Sequence, residues 1–171
     1  MAVRPIRTLG DPVLRQKAKR VPAIDGSIRR LIEDMIDSMQ AASGVGLAAP
    51  QIGVSLRIIV IGLPDEEPFA LINPEIVKRS GERKVEEGCL SLPGYRTENL
   101  TRSVTVVAKG LDPSGRKVRV KGQDDLLAQA LEHEIDHING VLYIEHLEDK
   151  GDLIKIEPAE PPAEGESRRN G

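Results

Sequence analysis

Over residues 27–42 the chain reads SIRRLIEDMIDSMQAA, placing Ile28, Leu31, Ile32, Met35, Ile36 and Met39 at i, i+3, i+4, i+7, i+8 and i+11. That spacing collects the apolar side chains on one face and predicts an amphipathic helix, which Gly44 is placed to end. The rhythm then changes. SGVGLAAPQIG breaks any period with glycine and proline and reads as a shaped loop, while LRIIVIG at 56–62 is a β-branched run that reads as a buried strand.

Short strands are expected at 69–72, 76–78 and 82–87, separated by proline and glycine. Two alternating runs flank Asp112-Pro113-Ser114-Gly115, whose residues suit a type I turn, so a hairpin is expected there. Asp124 or Asp125 can cap a helix running to about Ile138, closed by Asn139-Gly140. Residues 1–25 read as an extended wrap with one short helix at 12–17. Helices set apart from several short strands, without βαβ alternation, imply an α+β fold. The expected architecture is short, mostly antiparallel sheets around the later helix, with the amphipathic helix nearer the N-terminus.

Composition narrows the function. Aromatic residues make up only 2% of the chain, so the core must be aliphatic and no stacking platform for nucleic acid is offered. The net charge is −3 with both signs interspersed, so no specific nucleic-acid partner is expected. No apolar stretch approaches the roughly 20 residues of a membrane span. Cys89 is the one cysteine and cannot form an intrachain disulfide, and no secretory run opens the chain, so a cytoplasmic protein is expected. Length fits one domain over residues 1–150. Residues 151–171 read as an extension, acidic and proline-rich and expected to be disordered from about 157.

The chemistry concentrates in LEHEIDHING, residues 131–140. On a helix, His133 and His137 lie one turn apart on one side and can reach one ion, while Glu134 points about 100° away and can flank it. Leu127, Leu131, Ile135 and Ile138 form a separate apolar face. Leu126 and Ala130 fall on the histidine side, where they can line a dry pocket.

A catalytic site of this kind needs a third protein ligand. Glu145, His146 and Glu148 follow, but Tyr143 stands where the short HExxHxxGxxH pattern places its last histidine, and His146 reads as a surface histidine. Cys89, in the rigid segment EEGCLSLPG, is the better candidate; a small buried hydrophobe is its ordinary alternative. From the residues alone both readings of Cys89 stay open.

GVGLAAPQIG at 44–53, EGCLS at 87–91 and HEIDH at 133–137, in this order and separation, closely resemble the three signature motifs of peptide deformylases. LGDPVLR at 9–15 is also similar to that family's N-terminus. The resemblance implies a cytoplasmic enzyme that removes the formyl group from the formyl-methionine of new polypeptides. It implies one divalent metal per chain, with Fe²⁺ native and Zn²⁺ or Ni²⁺ able to substitute. Its ligands are then Cys89, His133 and His137, with Glu134 as general base and Gln51 and the Leu90 N–H as oxyanion donors. The family often has Gln before the first histidine; this chain has Glu132, which would place an extra carboxylate near the site.

Within that frame Val45 and Gly46 are expected to pair with the peptide main chain, and Val85, Leu126 and Ala130 to receive the methionine side chain. Asp136 is expected to support a histidine from behind, with Arg102 as its partner. The partners implied are N-formylmethionyl nascent chains, with transient proximity to the ribosome. Two other readings use the same residues: a zinc endopeptidase, or a binding protein whose metal only holds the fold. GVGLAAPQIG lacks the GK[ST] ending of a phosphate-binding loop, which excludes that reading.

Overall fold

In the computed structural model, which describes residues 2–156, the four-residue run Ile58–Ile61 forms strand β2 and is buried along its whole length. An unbroken apolar strand has no solvent face, so something must cover both sides. Helix α1 (Gly26–Ala41) covers one: Ile58 and Val60 join Leu31, Met35 and Met39. Helix α2 (Leu126–Ile138) covers the other, where Ile59 and Ile61 meet Leu131, Ile135 and Ile138. Each fully buried aliphatic side chain contributes about 1.5–3 kcal/mol, so this sandwich is the main anchor of α2.

Around β2 the chain builds a five-stranded antiparallel sheet in the order β1-β2-β3-β6-β7. Its other members are β1 (Gly46–Ala48), β3 (Phe69–Ser80), β6 (Thr105–Leu111) and β7 (Lys117–Gln123). A second sheet of β4 (Arg83–Gly88), β5 (Tyr95–Arg102) and β8 (Leu153–Lys155) runs in the order β4-β5-β8. Leu100 of that sheet shares a third apolar cluster with Leu14, Leu142 and Tyr143. The fold is α+β with antiparallel sheets, as the sequence implied.

Several boundaries differ from expectation for visible reasons. Residues 69–72 and 76–78 belong to one strand, because β3 runs through Asn73-Pro74 and absorbs them in a register shift against β6 between Ile72 and Glu75. The loop after α1 contains β1, whose three residues are all buried. β5 carries YRTENLTR, too polar to read as a strand, yet Thr97, Leu100 and Arg102 all turn inward. The expected helix at 12–17 is a four-residue 3-10 turn, Pro12–Arg15. The acidic extension expected to be disordered from 157 lies outside the described residues.

Both ends of α2 are fixed. Asp125 accepts from the Ala128 N–H at 2.8 Å, and at the far end Arg57 Nη1 and the Ala18 N–H donate to the Ile138 carbonyl at 3.0 and 2.8 Å. Gly122 on β7 lets the first turn approach closely: a Cβ there would sit 2.3 Å from the Ala128 nitrogen. Gly122→Ala is therefore expected to push α2 off the sheet and lower stability by about 1–3 kcal/mol, read as an earlier urea midpoint. An unchanged midpoint would show that the contact is soft.

Candidate metal centre

Helix α2 presents His133 and His137 toward the end of β4, where the chain turns through Cys89. Cys89 Sγ lies 3.3 Å from His137 Nε2, which lies 3.1 Å from His133 Nε2. Among the described residues these three form the one group of His, Cys, Asp and Glu with metal-binding spacing. A tetrahedral ion with bonds of about 2.0–2.1 Å to nitrogen separates two imidazole nitrogens by about 3.3 Å, close to the spacing seen. Two imidazole lone pairs and a thiol sulfur do not converge in a buried place without a proton or cation between them, so the donor set fits a divalent metal.

The protonation pattern points the same way. His133 Nδ1 faces Glu87 Oε2 at 2.8 Å, and a carboxylate can only accept, so Nδ1 carries the proton and Nε2 is turned to the site. Burial alone would keep His133 neutral, but the charge of Glu87 and the neighbouring Cys89 and Glu134 outweigh it and hold the imidazole well above its ordinary value. The field that draws a proton there also favours a cation in its place. His137 is lowered by burial and by His133.

Glu87 is buried too, yet His133 and Arg102 outweigh that and hold it at about 2. Arg102 forks onto it, with Nε donating to Oε1 at 3.0 Å and Nη2 to Oε2 at 2.5 Å. Arg102 Nη1 donates to Asp136 Oδ2 at 2.9 Å. At Glu134 burial outweighs the charges of His133 and Arg102 and pushes the carboxyl up to about 7; its Oε1 lies 3.8 Å from His133 Nε2, and its Oε2 has no protein hydrogen-bond partner.

A cavity of about 510 Å³ opens on this group. Val45, Gly46, Gln51, Cys89, Leu90, Leu126, Ala130, His133 and Glu134 all line it. Gln51 is oriented from both ends: its Oε1 accepts from the Ala48 N–H at 2.9 Å, and its Nε2 donates to Ser91 Oγ at 3.1 Å and faces Cys89 Sγ at 3.7 Å. Gly46 is required sterically, since a Cβ would fall 2.8 Å from Glu134 Oε1.

The family model for polypeptide deformylase matches residues 3–152. The chain belongs to the polypeptide deformylase family. A curated peptide deformylase from Dehalococcoides mccartyi strain CBDB1 is 58% identical over 159 residues, covering 92% of this chain and 94% of that protein. The crystal structure of a peptide deformylase from Legionella pneumophila has a TM-score of 0.82 at 48% identity, covering 85% of this chain and 86% of the other. A peptide deformylase from Synechococcus elongatus, solved in complex with actinonin, has a TM-score of 0.82 at 41% identity, covering 86% of this chain and 80% of that one. As a member of this metal-dependent family, the chain is an enzyme.

Two expectations about this deformylase need correction. Val85 does not line the cavity; paired with Leu100 across the ladder, and separated from Glu87 by a register shift, it joins the cluster of Leu14 and Tyr143. Glu132 adds no carboxylate to the site. It accepts from the Ser103 N–H and hydroxyl at 2.7 and 3.1 Å and pairs with Arg79 at 3.3 Å, on another side of the helix.

Sequence reasoning assigned no role to Glu87, Ser91 or Tyr143. A signal for Glu87 existed: an acid two residues before a candidate ligand can share its side of a strand. Gln129, also in the cavity wall, donates to the Glu86 carbonyl at 2.7 Å and to Glu87 Oε1 at 3.2 Å, tying α2 to β4. Glu87→Gln, which keeps the shape and removes the charge behind His133, is expected to weaken Zn²⁺ binding about 10–100-fold in a chelator competition. Unchanged binding would remove Glu87 from the support of the site.

Proposed function

We propose that this chain hydrolyses the N-terminal formamide of formyl-methionyl polypeptides, releasing formate, through one catalytic domain over residues 1–150, completed by β8 to Lys155. The observation that carries this reading is the group Cys89, His133 and His137, whose Cys89 and His133 line one cavity with Glu134. The familiar HExxH endopeptidases take a downstream residue as third ligand, whereas His146 here faces Asp136 at 2.8 Å and stands outside the group. A metal that only held the fold would need neither the cavity nor a buried acid with an unsatisfied oxygen.

When bound, a divalent cation supplies Lewis acidity, which polarises the formyl oxygen and makes water acidic enough to attack near neutral pH. Glu134 takes the proton of the attacking water and returns it to the departing amine. Burial shifts its carboxyl upward, the direction that suits a group which both accepts and returns a proton. The Gln51 amide and the Leu90 N–H meet the negative charge on the former carbonyl oxygen. β1 is an edge strand, and its free side at Gly46, with Val45 just before it, offers the peptide a strand partner, while Leu126 and Ala130 meet the methionine side chain.

Fe²⁺ is the proposed native ion, by resemblance to the family, with Zn²⁺ or Ni²⁺ as substitutes; the donor set itself equally suits Zn²⁺. The proposed setting is the cytoplasm, close to ribosomes producing formylated chains. Among the described residues no helix is long and apolar enough to cross a membrane.

Purified without oxygen, the wild-type chain is expected to hold one metal and release formate from formyl-Met-Ala-Ser. Glu134→Ala should keep the metal and lose turnover, and Gln51→Ala should lose about 10²–10³ in rate while staying folded. A fully metallated wild type that releases no formate would overturn the proposal.

A further inference from the structure

We propose that His146 is a positioning residue for the metal centre, acting on His133 from outside the site through three intervening side chains. The proposal rests on the metal-ligand assignment above. His146 is an exposed residue in the 3-10 turn Tyr143–His146. Its Nε2 lies 2.8 Å from Asp136 Oδ2. A carboxylate at that distance accepts, so His146 Nε2 donates. The same oxygen accepts from Arg102 Nη1 at 2.9 Å. Arg102 places its other two donors on Glu87 at 3.0 and 2.5 Å, and Glu87 accepts from His133 Nδ1 at 2.8 Å.

Each member of this chain orients the next. The imidazole plane of His133 follows Glu87, which follows the guanidinium fork. A rigid planar fork with three engaged nitrogens has one orientation that satisfies all of them. Asp136 supplies the third, and the side chain of Arg102 is only 3% exposed, so no bulk water takes its place. Asp136 itself is 13% exposed, at the boundary with solvent, where a carboxylate without a second donor is free to turn outward. His146 holds it inward.

A second observation places the same turn against the same ligand. The ring of Tyr143, the first residue of the turn, stacks on His133 with centroids 6.2 Å apart and planes 27° from parallel. The turn therefore reaches His133 twice, through a ring face and through a four-bond relay. Nothing in a histidine's ordinary surface role calls for that closure.

The test uses the full chain loaded with Zn²⁺, comparing wild type with His146→Ala and His146→Gln. Three quantities are read: the rate of Zn²⁺ loss to a chelator, the NMR signal of the His133 Nδ1 proton, and kcat and KM on formyl-Met-Ala-Ser. Direct partners of ligating histidines change affinity about 10–100-fold, and His146 acts three groups further out, so Zn²⁺ loss should speed up by about 3–10-fold in His146→Ala. The His133 signal should move upfield, and kcat should fall by a similar factor with KM nearly unchanged. Gln places an amide N–H near the position of Nε2 and should restore most of each effect. If His146→Ala leaves Zn²⁺ loss and the His133 signal as in wild type, the proposal is overturned, whatever happens to Tm. Zn²⁺ loss and NMR do not depend on turnover, so a wild type without formate release would contradict the deformylase reading while leaving the role of His146 to be decided by those two readouts.

Discussion

Arg102 is the point on which the site turns: a guanidinium enclosed in protein and held between the carboxylates of Glu87 and Asp136. Buried charge is tolerated only where it is paired and its hydrogen-bonding capacity is used. Here one cation at the end of β5 satisfies an acid on β4 and another on α2, so three elements are locked at the place where Cys89, His133 and His137 converge. Glu87 can then stay ionised beside His133, and the imidazole is fixed with Nε2 toward Cys89 and His137. The aliphatic sandwich around β2 holds α2 in place; the Arg102 cluster sets the direction of its side chains.

This arrangement explains which parts of the molecule were legible in the sequence. α1, α2 and the 105–123 hairpin rest on local patterns, apolar periodicity and turn chemistry, and those patterns survive in the fold. β5 was invisible because its inward residues include Thr97 and Arg102, which no hydrophobicity pattern marks as core. β1 was hidden because Gly46 has no side chain to reveal its burial. Of the site, the HExxH spacing carried His133, Glu134 and His137, whereas Cys89 came from resemblance to a family motif. The support behind them was legible only for Asp136 and Arg102; Glu87 lies 15 residues from Arg102 and 46 from His133, and neither contact leaves a periodicity in the sequence.

Glu132 is held by contacts other than the one expected, and Gly46 has a second role beside the one expected. The carboxylate of Glu132 suggested added charge at the metal, but Ser103 and Arg79 hold it on a different side of α2. Gly46 was expected only to contact the peptide, and it also leaves the room that Glu134 occupies. Along α2 a rotation of about 100° per residue turns Glu132 away from the side that carries His133.

Completion of the buried set of Cys89, His133 and His137 by a divalent cation would link metal and fold thermodynamically. The most direct measurement is the Tm of the full chain after chelation and again after adding back one equivalent of Zn²⁺. A ligand present at about 1,000 times its Kd stabilises the native state by about 4 kcal/mol, so a rise of several degrees on re-addition is the predicted result. An unchanged Tm with one Zn²⁺ bound per chain would contradict the account, because the cation would then hold no more tightly to the folded site than to the unfolded chain.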